Sequence, residues 1–153
     1  MNKRSTVIGI GNTLRRDDGI GVVILESLLN FHKKEAVDYL NFGIASFDLL
    51  HRIQDYGKVL LIDGIDASLS PGELKIFDLG QIEYDLKGSI TSSHELNLKD
   101  LFGLSRKLAI KTKIFVAGIQ VKDTSFGEGL SKELESKKEE IIDGIGKFIG
   151  QNL

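Results

Sequence analysis

The stretch TVIGIGNTLRRDDGIGVVILESLL, running from Thr6 to Leu29, decides the class of fold. Thr6–Ile10 is a short apolar strand, and Gly19–Leu29 is a helix, because Ile20, Val23, Ile24 and Leu28 recur at helical spacing. The same strand-then-helix alternation continues outward along the chain. Val37–Phe42 is the next strand, Ala45–Ile53 a short helix, and Lys58–Ile62 a strand whose Val59, Leu60, Leu61 and Ile62 are continuously apolar, as suits a sheet covered on both faces. Ser, Pro and Gly turn signals fill Asp66–Gly72, and Leu74–Leu79 alternates apolar with polar residues, which suits an edge strand. Ser92–Leu108 is helical, Lys113–Ala117 is another strand, and Ser131–Ile149 is a charged helix with Leu134, Ile141, Ile145 and Phe148 on its apolar side.

This pattern predicts an α/β protein: a three-layer α/β/α sandwich around a central, mainly parallel twisted sheet of about five strands, with one antiparallel edge strand. The 153 residues, 41% of them apolar, suffice for one domain spanning 1–153. The chain contains no cysteine, which excludes thiol nucleophiles, thiolate zinc sites, iron–sulfur clusters and disulfides. A formal net charge of -2 gives no reason to propose a nucleic-acid or anionic-membrane partner. Asn2-Lys3-Arg4 precedes an apolar run too short for a signal sequence, and no run approaches about 18 apolar residues, so membrane insertion is not expected and the cytoplasm is the expected location. The charged run Lys132–Glu140 reads as the solvated face of the last helix.

In sheets of this kind ligands bind outside the carboxyl ends of the strands, where strand order reverses. Three segments bring polar residues to that edge. Gly9-Ile10-Gly11-Asn12 ends the first strand, but no glycine follows the G-x-G pair at dinucleotide spacing, and Asp17 and Asp18 at the helix start would repel a pyrophosphate. One acid suffices to cap the helix and complement its dipole; two exceed that need and make the pair a candidate for metal binding or catalysis. Asp63, after Ile62, serves either an Asx-type turn with Gly64 or chemistry at the sheet edge, whereas Asp66 reads as a turn residue. Ser92 and Glu95 fit a capping box, which leaves His94 in the first turn of its helix, either inert or a ligand. His32 and His51 have no acidic strand-end neighbour. Asp18, Asp63 and His94 together make a divalent-metal site, whose donors suit zinc, nickel, iron or cobalt better than magnesium.

Across nearly the whole chain these segments resemble the hydrogenase maturation endopeptidases, which remove the C-terminal extension from the large-subunit precursor of nickel–iron hydrogenases. The resemblance rests on Gly9-Ile10-Gly11-Asn12 through Asp17-Asp18-Gly19-Ile20-Gly21, Leu61-Ile62-Asp63 with Pro71-Gly72, Ser93-His94 with Leu98 and Leu101, and Gly118-Ile119-Gln120 with Phe126-Gly127 and Gly129-Leu130-Ser131. It implies that Asp18, Asp63 and His94 bind a metal and that Asp18 and Asp63 are the catalytic candidates. The metal implied is nickel supplied by the precursor, with zinc or cadmium able to stand in for it in a crystal. It serves either as a recognition element or as a Lewis acid. The partner implied is the large-subunit precursor. Where the family commonly carries a Gly-Gly-Thr run, this chain has Asn41-Phe42-Gly43-Ile44, in which Gly43 alone preserves the turn. Because no complete Ser–His–Asp set or cysteine is present, a checkpoint module that binds the precursor without cutting it is the alternative.

Overall fold

The computed structural model describes residues 2–81 and 98–153. Among these residues the strands β1 (Ser5–Ile10), β2 (Val37–Gly43), β3 (Lys58–Ile65), β4 (Leu74–Asp78) and β5 (Lys113–Gln120) form one sheet in the order β2-β1-β3-β5-β4. Every neighbouring pair is parallel except β4 with β5, which is antiparallel. The edge strand read from Leu74–Leu79 is therefore present and reversed.

Helices α1 (Ile20–Phe31), α2 (Asp48–Ile53), α3 (Leu98–Lys107) and α4 (Lys132–Asn152) complete the described elements, with short 3-10 turns at Arg16–Gly19 and Leu79–Gln81. Alternate strand residues point to opposite faces. Ile8, Val59, Leu61 and Val116 pack with Leu49 and Ile53 of α2 and Leu101 of α3. Val7, Leu60, Ile62 and Ile119 pack on the other side with Ile20 and Ile24 of α1 and Ile145 of α4. This two-sided burial explains the continuous apolar run Val59–Ile62 and yields the three layers. Within α1 Leu25 joins the core, while Val23 is half-buried. In α4 it is Ile149, and the half-buried Phe148 stacks edge-to-face on Phe115 with ring centroids 5.1 Å apart. The acidic and basic residues of Lys132–Glu140 are largely exposed, as a solvated face requires.

Two strands run further than their apolar cores. β3 continues through Asp63, Gly64 and Ile65, paired with Gly118, Ile119 and Gln120 of β5, so Asp63 lies inside the ladder rather than in an Asx-type turn. Apolar composition ends at Ile62, but parallel hydrogen bonding does not depend on side-chain polarity and carries both strands on. The second helix is shorter than Ala45–Ile53: Ala45 is buried but precedes the helix, which begins at Asp48. The stretch 92–97 of the expected third helix lies outside the described residues. Among those described, no helix is long and apolar enough to cross a membrane.

A glycine sets how closely α1 sits on the sheet. A Cβ on Gly21 would lie 2.2 Å from both the Ile10 and Ile62 carbonyl oxygens, so α1 packs directly on the ends of β1 and β3. Both obstacles are backbone, which a rotamer change cannot relieve. Gly21→Ala is expected to cost about 2 kcal/mol or more, read in a urea or thermal melt as a fall of roughly 5 °C or more. A melt within 2 °C of the parent would contradict this packing.

Candidate functional site

The chain leaves β1 outward to β2 and returns to β3 on the other side of β1, so strand order reverses between β1 and β3. A crevice forms at such a reversal, outside the carboxyl ends of the strands. Asp18, in the 3-10 turn after β1, and Asp63, near the end of β3, are both buried there, at 4% and 3% exposure. Gly21 wedged between the Ile10 and Ile62 carbonyls holds the turn against both strand ends, and a Cβ on Gly64 would stand 3.2 Å from the Asp17 carbonyl oxygen. In the β3 pleat, Ile62 faces α1, so Asp63 shares the opposite face with Leu61 and Ile65, under α2 and α3. Its partner across the ladder is Gly118, whose missing side chain leaves room for Ile65 to cross.

Asp18 is placed by the turn that precedes it. Its Oδ2 accepts the Asn12 amide at 3.1 Å, its own amide donates to the Arg15 carbonyl, and Asn12 Oδ1 accepts the Leu14 amide. Gly11, at φ 152°, lies so close that a Cβ would stand 2.1 Å from the Asp18 carbonyl oxygen. The same bonds account for the failed dinucleotide fingerprint. The Gly11 amide donates to Gly43 O at 2.7 Å and the Asn12 amide to Asp18, so neither donor is left to cradle a phosphate. Gly43, at φ 56°, keeps the turn expected of it in the Asn41–Ile44 departure.

Asp17 and Asp18 part company in the structure. Asp17 is fully buried, and its carboxylate accepts four hydrogen bonds from one distant segment. Oδ1 takes the Ser131 amide at 2.7 Å, and Oδ2 takes the Ser131 hydroxyl at 2.8 Å and the Lys122 and Asp123 amides at 2.9 Å each. Ser131 also caps α4 by accepting the Leu134 amide. Around this clamp the Arg16 amide donates to Gly127 O, the Gly127 amide to Leu14 O, and Arg15 Nε to Thr124 O. Asp123 completes the loop: the hydroxyl and amide of Ser125 donate to it and hold its carboxyl below the ordinary range. Asp17 thus fastens the start of α1 to the start of α4. The sequence singled out Asp18 for the site but did not show what Asp17 does, since its partners lie more than 100 residues away; the excess of two acids over one capping role was the available signal.

Gln120, at the end of β5, is a second organiser missed in the sequence. Its Oε1 accepts the Ala67 and Leu69 amides and its Nε2 donates to Asp66 Oδ1 and Val121 O, fixing the loop after β3. Asp66 also accepts the Ser68 amide, the turn role expected of it. His32 closes the far end of α1, with Nε2 4.0 Å from Asp143 of α4, and His51 is exposed on α2. His94 lies outside the described residues. Among the described residues no group of three His, Cys, Asp or Glu side chains stands ready to hold a metal; Asp18 and Asp63 are both buried on the elements that flank the β1–β3 switch point.

Comparisons with known proteins agree with this fold. The hydrogenase maturation protease family model HycI matches residues 22–147. The hydrogenase expression/formation protein HoxM of Azotobacter vinelandii is 25% identical over 149 residues, covering 95% of this chain and 72% of its own. Among solved structures, the hydrogenase maturating endopeptidase HybD from E. coli superposes with a TM-score of 0.78 at 25% identity, over 93% of this chain and 89% of its own. The maturation protease HybD from Thermococcus kodakarensis gives 0.73 at 27% identity, over 95% and 98%. With an α/β sheet of this order and a family match spanning most of its length, the chain belongs to the hydrogenase maturation proteases.

Proposed function

We propose that this protease removes the C-terminal extension from the nickel-loaded large-subunit precursor of a nickel–iron hydrogenase, and that Asp18, Asp63 and His94 meet the precursor's nickel. The observation that supports this most directly is the division of labour between neighbouring acids. Asp17 is committed to the clamp on Ser131, while Asp18 is buried beside the end of β3, where Asp63 stands. Carboxylate and imidazole donors suit nickel, and a chain without cysteine leaves any thiolate ligands to the partner. The metal therefore arrives as part of the substrate. Asp18 and Asp63 serve as ligands to it and as the general base for the attacking water.

Intact-mass measurement tests the reading. Nickel-loaded precursor mixed with the protein is expected to lose the mass of its tail, and metal-free precursor to stay uncut. A stable complex of unchanged mass would replace cleavage with a checkpoint role.

A further inference from the structure

Exposed large apolar side chains lie at the two ends of the sheet. Among the described residues, Leu14 (59% exposed), Ile44 (57%), Phe47 (63%) and Phe126 (81%) all sit on loops at the carboxyl end of the sheet, following β1, β2 and β5. Leu29, Phe31 and Leu108, the remaining large exposed apolar residues, lie at the other end of the molecule, where α1 and α3 finish. The carboxyl-end loops are fastened to one another. Gly11 N donates to Gly43 O, joining the β1 loop to the segment that carries Ile44 and Phe47, and Gly127 N donates to Leu14 O, seating Phe126 next to Leu14. Arg15 lies over the Phe126 ring, 5.8 Å from its centroid, and is itself held by the Thr124 carbonyl.

Large apolar side chains on loops cost solubility, and here they are held in place by backbone hydrogen bonds instead of folding inward. Such a preorganised rim loses little conformational freedom when it is covered. It lies at the same carboxyl end of the sheet as Asp18 and Asp63, so a polypeptide delivered to those carboxylates passes next to it. We infer that Leu14, Ile44, Phe47 and Phe126 form the docking surface for the substrate protein, receiving an apolar surface of the folded precursor next to its C-terminal extension. This inference rests on the proposed proteolytic function and assigns the binding energy of that reaction to a rim distinct from the carboxylates. The two phenylalanines fit the aromatic enrichment of protein interfaces, where a few residues carry most of the affinity.

The test measures binding and cleavage of the nickel-loaded precursor by Phe47→Ser, Phe126→Ser and the double variant, with Phe31→Ser as the control at the opposite end. All three substituted side chains are largely exposed, so each variant is expected to melt within about 2 °C of the parent. Each single rim variant is expected to raise Kd and KM roughly tenfold, with kcat within about twofold; the double variant raises them further and Phe31→Ser changes neither. If the parent cleaves the precursor and the rim variants bind and cleave it equally well, the docking surface is refuted and the proposed function stands. If the rim variants lose kcat with KM unchanged, the rim acts on the chemistry and the docking assignment is likewise refuted. If the parent neither binds nor cleaves the nickel-loaded precursor, the proposed function falls and this surface assignment with it.

Discussion

Asp18→Asn is expected to lower kcat/KM for precursor cleavage by at least about a hundredfold while moving the melting temperature by only a few degrees. The substitution is nearly isosteric. The Asn carbonyl oxygen can still accept the Asn12 amide, the bond now made by Asp18 Oδ2, so the turn that follows β1 keeps its shape. What disappears is the negative charge, and with it the strength of a metal ligand and the capacity to take a proton. Asp63→Asn should behave alike, because Asp63 is held inside the β3–β5 ladder by its backbone. Steady-state cleavage by mass spectrometry, alongside a melt of each variant, checks both. Parent-like rates in both variants, with fold retained, would remove the carboxylate pair from the mechanism.

Asp17, one residue earlier, should give the opposite result. Asp17→Ala strips four hydrogen bonds from a fully buried site and leaves the amides of Lys122, Asp123 and Ser131 without their acceptor. Each stranded donor costs about 1–3 kcal/mol, so three stranded amides cost at least about 3 kcal/mol in all. A loss of about 3 kcal/mol corresponds to a fall of roughly 10 °C in melting temperature for a chain of this size. Asp17→Asn is a poor rescue, since its NH2 group would face donors on the same side. Ser131→Ala, which loses one bond to Asp17 and the cap of α4, should cost about 1 kcal/mol. Urea denaturation, with activity normalised to the folded fraction, separates this effect from chemistry. If Asp17→Ala melts within 2 °C of the parent but is inactive, Asp17 belongs to the reaction and the clamp is incidental.

Adjacent acids with opposite expected phenotypes show where sequence reading reaches and where it stops. The alternating apolar segments, the reversed edge strand at Leu74 and the placement of Asp18 at the switch point were all legible, because each follows from local periodicity or from the rule that crossovers return strands in parallel. The end of β3 was not. Apolarity stops at Ile62 while the ladder continues to Ile65, since backbone pairing with β5 is indifferent to the polarity of Asp63.

The sequence by itself determined the α/β class, the carboxyl-edge location of the candidate carboxylates and the exclusion of thiol chemistry, for these depend on spacing and composition. Only the tertiary structure decided that Asp17 is the structural acid of the pair, that the Gly11 and Asn12 amides are already spent, and that Leu14, Ile44, Phe47 and Phe126 are exposed on loops at the carboxyl end of the sheet. Two of these rest on partners far away in the chain, Ser131 for Asp17 and Gly43 for Gly11. Hydrogen bonds between residues so distant in sequence leave no periodic trace in it.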